Sequence, residues 1–193
     1  MQFKGRRARR AIAIVAIPGL VTVSTALPIL PPEALVAYTQ AIGFSPKATQ
    51  TESTKLSALP QHFADMFGWR EMAAAVSVVY RDLPPDERAQ AVFFAPNHGE
   101  AAALDIYGLA LGGPPTISGN MSYYLWGPGG ASGEGLIALG CGAPAFPDDY
   151  DDIRAAGRTD NAFAMPYETG LTIWVLRRLR APLAAIWPLL KRF

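Results

Sequence analysis

Two short polar segments hold the residue types from which a site for a hydroxylated ligand can be built. The first, Asn97-His98-Gly99-Glu100, follows an apolar run and opens a helical pattern. The second, Ser118-Gly119-Asn120, leads into Tyr123 and Trp126. Asn97, Glu100 and Asn120 can hydrogen-bond a polyol, and main-chain N–H groups at a helix start suit an anion. Tyr123 and Trp126 offer flat apolar faces of the kind against which sugar rings and lipid head groups stack. A local reading of the same residues stands beside this one. Asn97 can cap the helix, with Glu100 three residues later completing a box-like pair, while Tyr123, Tyr124 and Trp126 fill a core or an interface.

Other chemistries find less material. His62 and His98 are the only histidines, they fall on different elements, and their spacing to Glu100 and Asp105 matches no metal motif. The run Asp148-Asp149-Tyr150-Asp151-Asp152 lacks the central glycine and terminal glutamate of a calcium loop and reads as a solvated face. Cys141 is the only cysteine, which excludes a disulfide within one chain; it has no neighbouring histidine to activate it. There is no G-x-S-x-G elbow, and Gly127-Pro128-Gly129-Gly130 lacks the Lys-Ser/Thr of a phosphate loop. No catalytic residue, metal ligand or cofactor is therefore expected from spacing, and Asn97, His98, Glu100, Ser118, Asn120, Tyr123 and Trp126 form the candidate binding set.

The elements that must position this set alternate between helix and strand. Pro60 to Tyr80 reads as one helix, with Phe63, Phe67, Met72, Val76 and Val79 at near-helical spacing. Leu83-Pro84-Pro85 breaks it and starts a short helix with acids in its first turn. Ala91–Ala95 reads as a buried strand, Gly99–Leu109 as a helix, and Thr116–Ser118 as a very short strand. Gly135–Gly140 and Leu171–Leu176 supply two more strands, Pro144 to Asp160 reads as acidic and irregular, and Pro182–Phe193 closes as a helix. This order predicts an α/β fold: a small three-layer sandwich with a mainly parallel sheet of about four strands.

Charge is unevenly spread over the 193 residues. Lys4, Arg6, Arg7, Arg9 and Arg10 precede any acid, the first being Glu33; the remainder carries 17 − 5 = 12 basic residues against 16 acids. The segment Ala11 to Leu30 is twenty uncharged residues, about 30 Å as a helix and thus the thickness of a bilayer's hydrocarbon core. By the positive-inside rule the arginines stay cytoplasmic and the body lies outside. A cleavable signal peptide with an exit at Ser24-Thr25-Ala26 is the competing reading. Half of the residues are apolar and the mean hydropathy is +0.15, which excludes a disordered chain; the net charge of +1 gives no support to nucleic-acid binding. The expected organisation is a basic head and transmembrane anchor over 1–30, a juxtamembrane helix and linker over 31–58, and an α/β domain over 59–193.

Beyond these patterns, four stretches resemble a known family. They are Leu59-Pro60-Gln61-His62-Phe63-Ala64-Asp65-Met66-Phe67-Gly68-Trp69, Ala95-Pro96-Asn97-His98-Gly99-Glu100-Ala101, Ile117-Ser118-Gly119-Asn120 with Tyr123 to Gly127, and Met165-Pro166-Tyr167-Glu168 with Arg177 to Phe193. Together they resemble the C-terminal extracytoplasmic domain of bacterial family 39 glycosyltransferases, relatives of the dolichyl-phosphate-mannose protein mannosyltransferases. Family members are integral membrane enzymes that take a sugar from a polyprenyl-phosphate carrier, with catalytic acids in the first extracytoplasmic loop of a many-helix bundle. This chain has at most one spanning segment and no such loop, so the resemblance assigns glycosyl transfer to none of its residues. It implies an accessory or acceptor-binding domain held at the bacterial inner membrane with its body in the periplasm. The partners it implies are the bilayer, a multi-spanning glycosyltransferase subunit, and a polyprenyl-phosphate sugar or glycan acceptor. A free-standing periplasmic ligand-binding or sensing module is the alternative.

Overall fold

The computed structural model describes residues 2–49, 55, 57–140 and 149–193. The chain divides into two compact units, Met1–Ala64 and Asp65–Phe193. Cys141 and Asp148 lie outside the described residues, as does part of the 45–57 linker.

In the first unit, helix α1 (Gln2–Ala26) contains a stretch, Gly5–Ala26, that is long and apolar enough to cross a membrane, and nearly all of it is exposed. A signal sequence passes the same test. The hydroxyls within this stretch are satisfied by the helix itself. Thr22 Oγ1 donates to the Pro18 carbonyl at 3.0 Å, Ser24 Oγ to Val21 at 3.1 Å and Thr25 Oγ1 to Thr22 at 2.7 Å. Back-bonding of this kind lets Ser and Thr reside in a helix surrounded by hydrocarbon. After Pro31, helix α2 (Pro32–Ala41) begins with proline, whose fixed φ suits a first helical turn. Leu35 and Thr39 are its buried residues, and the Tyr38 hydroxyl donates to the Val21 carbonyl at 2.8 Å.

The helix expected over Pro60–Tyr80 is two helices, α3 (Gln61–Ala64) in the first unit and α4 (Trp69–Arg81) in the second. Gly68 stands before α4 with φ +92°, a left-handed backbone that a continuous helix cannot hold and that glycine accepts most readily. Helix α5 (Pro85–Arg88) and strand β1 (Ala91–Ala95) follow as expected. The next helix, α6 (His98–Ala103), passes into a π-type turn at Leu104–Gly108 and a 3₁₀ turn at Leu109–Leu111. Strand β2 (Thr116–Ser118) leads into helix α7 (Met121–Trp126), which the sequence reading treats as an aromatic cluster without assigning a helix. Strands β3 (Gly135–Gly140), β4 (Tyr150–Arg158) and β5 (Thr172–Leu179) precede α8 (Leu183–Ile186) and a closing 3₁₀ turn, Trp187–Leu190.

The sheet corrects the expected topology. It has five strands in the order β2-β1-β3-β5-β4 and is mixed: β1 pairs parallel with β2 and β3, while β5 runs antiparallel to both β3 and β4. Parallel neighbours need a crossover, which α6 and its extension supply between β1 and β2. Residues 159–171 contain no helix, so β4 and β5 lie antiparallel. The fifth strand, β4, occupies the stretch read as irregular. It is an edge strand, and charges there need not be buried: Arg177 on β5 donates to Asp152 at 3.0 Å and to Glu87 at 2.7 Å, and Arg180 to Asp151 at 2.7 Å.

Strand alternation sends the core to both faces of the sheet, as a period of two requires. Phe93, Ile137, Ile173 and Val175 join Met72, Val76, Ala101 and Leu104 on one face. Val92, Phe94, Leu136 and Leu176 join Leu183, Trp187 and Leu190 on the other. Helices thus cover both faces of an α/β domain, and the carboxyl ends of β1 and β2 are left to present the polar segments that follow them.

Candidate functional site

Asn97 is the N-cap of α6. Its backbone is extended (φ −136°, ψ 168°) and its Oδ1 accepts from the Glu100 N–H at 2.9 Å. The Asn97 main chain in turn favours the ionised Glu100 carboxyl, the direction expected of a capping pair. The local reading of Asn97 is therefore correct as structure. Asn97→Ala is expected to cost about 1 kcal/mol in chemical denaturation, the ordinary value of such a cap.

Glu100 is more than a capping partner. It is only 3% exposed, and burial, followed by the Glu168 carboxyl beside it, pushes its pKa from 4.5 up to about 8. With Glu100 buried beside a second, half-buried carboxyl, the Glu100 side chain keeps its proton at neutral pH. Glu100 Oε2 is buried, and the group its side chain meets is the Glu168 carboxyl.

His98 and Asn120 form the exposed rim. Asn120 Oδ1 accepts from the His98 main-chain N–H at 3.2 Å and faces His98 Nδ1 at 2.8 Å. Asn120 Nδ2 donates to the Arg192 carbonyl at 3.3 Å. These contacts fix the amide orientation, and an oxygen that only accepts requires the proton on Nδ1. The ring edge carrying Nε2 faces outward from this contact. Ser118 is fully buried, and its Oγ accepts from the Asn120 N–H at 3.1 Å, shaping the turn without reaching the surface.

The aromatic members of the candidate set lie elsewhere. The Tyr123 hydroxyl donates to Asp105 at 2.5 Å, and both burial and that carboxylate raise its pKa. Trp126 lines a cleft with Ala91, Val92 and Thr116, at the amino ends of β1 and β2. Helix α7 runs back along the sheet after β2, which carries its last residues to the opposite end. The flat face beside the polar cluster belongs instead to Trp69. A Cβ on Gly99 would stand 3.1 Å from the Trp69 ring, so glycine there lets the ring lie close against the α6 start. Trp69 Nε1 donates to the Asp65 carbonyl at 2.7 Å, and the Tyr167 hydroxyl donates to Asp65 Oδ1 at 3.2 Å.

The structure thus gathers Asn97, His98, Glu100, Ser118 and Asn120, separates Tyr123 and Trp126 from them, and adds Trp69 and Glu168. Local spacing singles out neither of the added pair: Trp69 opens a helix and Glu168 lies in a turn far along the chain. Among the described residues no group of three or more His, Cys, Asp or Glu is placed to hold a metal ion. The arrangement suits recognition of hydroxyls: an exposed imidazole, an amide, a partly exposed indole and a protonated carboxyl behind them. Comparison with protein-family models, with curated proteins and with solved structures finds no match to this chain.

Proposed function

We propose that this chain is a membrane-tethered extracytoplasmic domain, the detached C-terminal part of a polyprenyl-phosphate-sugar-dependent glycosyltransferase. It serves as an accessory or acceptor-binding part beside a separate multi-spanning subunit at the bacterial inner membrane. Helix α1 is its anchor and the α/β unit lies in the periplasm. The observation that supports this reading is a convergence of segments distant in sequence. Asp65–Trp69, Asn97–Glu100, Ser118–Asn120 and Met165–Glu168, all within stretches that resemble the family, lie together at the carboxyl ends of β1 and β2 around the Glu100–Glu168 pair. In open α/β sheets that end is where ligands gather. The chain's own residues bind and orient a sugar hydroxyl there, and the transfer chemistry belongs to the other subunit. The test is a pull-down of the tagged chain from native membranes in mild detergent, with mass spectrometry of its partners and of the mature N-terminus. A multi-spanning transferase and an intact α1 are expected; neither appearing would contradict the reading.

A free-standing periplasmic binding module is the second reading. It is favoured by one feature: every group of the polar cluster comes from the single unit Asp65–Phe193. Under either reading Asn120→Ala removes the group that orients His98. It is expected to lower affinity for a glycan at least tenfold in calorimetric titration while the domain still unfolds cooperatively.

A further inference from the structure

The two edges of the sheet differ in chemistry. At the β4 edge acids and arginines neutralise one another. Helix α7 packs on the opposite edge strand, β2. Its i, i+4 pair Met121 and Leu125 and its last residue Trp126 point outward, with Leu125 73% and Trp126 69% exposed. The Tyr123–Asp105 hydrogen bond ties α7 to the π-type turn, where Ile106 and Leu109 are also exposed. On the other flank Phe193, exposed as well, meets Tyr124 edge-on at 5.8 Å, and the Arg192 main chain bridges to Asn120. Exposed apolar side chains thus stand on α7, on the helical turns before β2 and at the last residue, and these contacts link the three segments. Single exposed residues of this kind are ordinary, whereas a contiguous set marks a site of interaction.

The charges around the patch indicate what covers it. Lys191 Nζ lies 4.5 Å from the Phe193 ring centroid, Arg192 is exposed beside it, and the Arg70 guanidinium stands 5.6 Å over Tyr107, next to Ile106. Asp105, the acid bonded within this face, is held by the Tyr123 hydroxyl. Yet beyond its first ten residues the chain is acidic, 12 basic residues against 16 acids. Cations framing exposed Trp, Leu and Phe match the boundary between anionic head groups and acyl chains, where Trp is enriched and lysine and arginine meet phosphates.

We propose that this face, from Ile106 and Leu109 across α7 to Phe193, rests on the surface of an anionic bilayer. Its apolar side chains enter the head-group boundary while Lys191, Arg192 and Arg70 contact lipid phosphates. The inference depends on α1 being a membrane tether, which places a bilayer within reach of the domain.

The test uses the full chain in a Cys141→Ser background, spin-labelled through Leu125→Cys and reconstituted into phosphatidylcholine–phosphatidylglycerol vesicles. Ala156→Cys on the exposed β4 edge serves as the reference position. Flotation reports the tether, and collision with oxygen and with a water-soluble nickel chelate reports depth. Expected are flotation, an oxygen-to-nickel ratio several-fold higher at position 125 than at 156, and loss of that difference in pure phosphatidylcholine. Flotation with water-like values at both positions would overturn the docking face and leave the tether intact. An immobile label shielded from both agents would overturn it in favour of a protein contact. Absence of flotation would overturn tether and docking face together.

Discussion

Replacing Glu100 with glutamine should make this domain more stable near neutral pH. Glu100 has a folded-state pKa of about 8 against an ordinary 4.5. The folded state therefore holds a proton that the unfolded chain has released between those values, and stability falls as pH rises from 4.5 through 8. At pH 7 the difference of 2.5 units, at ~1.4 kcal/mol per unit, is about 3 kcal/mol. Glutamine keeps the shape and the neutral state: its carbonyl can accept from the Asn97 N–H and its amide can donate to Glu168. Urea denaturation from pH 5 to pH 8 should show a falling stability for the natural chain and a flatter line for Glu100→Gln, the two separating by about 3 kcal/mol at pH 7. Equal slopes would mean that Glu100 ionises normally. Glu100→Ala is expected to destabilise instead, because it removes the capping contact and leaves a void beside Glu168.

The second large effect concerns Gly119. A Cβ there would stand 2.0 Å from the Leu190 carbonyl oxygen and 2.8 Å from its carbon, both main-chain atoms that cannot rotate away. This close approach lets the C-terminal strip lock onto the turn after β2. Arg192 N–H donates to the Gly119 carbonyl at 2.8 Å, and Met121 N–H to the Arg192 carbonyl at 3.1 Å. Leu190 and Trp187, both buried, anchor the same strip in the second core cluster. Gly119→Ala must push the strip outward, with an expected loss of about 3 kcal/mol, at the upper end of ordinary overpacking. Hydrogen exchange should show the Arg192 amide unprotected. Gly130→Ala, where an added Cβ meets nothing within 4 Å, is the matched control and should be near neutral. A neutral result for Gly119→Ala would mean that the strip does not lie where it is described.

The periodic elements were readable from sequence and the paired ones less so. β1 and β3 are short apolar runs closed by Pro96 and Gly140, β2 is a β-branched Thr-Ile pair before Ser118-Gly119, and α4 has a strong apolar stripe, so local pattern locates them. β4 was hidden because edge burial does not impose an apolar alternation: Asp151, Asp152 and Arg154 sit within it, balanced by Arg177 and Arg180 across the ladder. Without β4, the direction of β5 had no constraint, and a mainly parallel sheet was the natural inference. The break at Gly68 was missed because the apolar spacing from Phe63 to Val79 continues through it. In the candidate site, Asn97 and Asn120 were found from their place after strands. Trp126 was misplaced because α7, short and unrecognised, carries it the length of the strand. Glu168 lies sixty-eight residues beyond Glu100, and only the tertiary fold reveals that the two share one site.

The proposed role of the Glu100–Glu168 pair and its His98–Asn120 rim is to receive a sugar. Carboxyl-carbon NMR of the full chain labelled at glutamate measures this directly, before and after addition of a short-chain polyprenyl phosphate hexose. Expected is a Glu100 resonance that titrates near pH 8 and shifts on addition, with the shift lost in Asn120→Ala. A resonance titrating in the ordinary carboxylate range and indifferent to the sugar would contradict it.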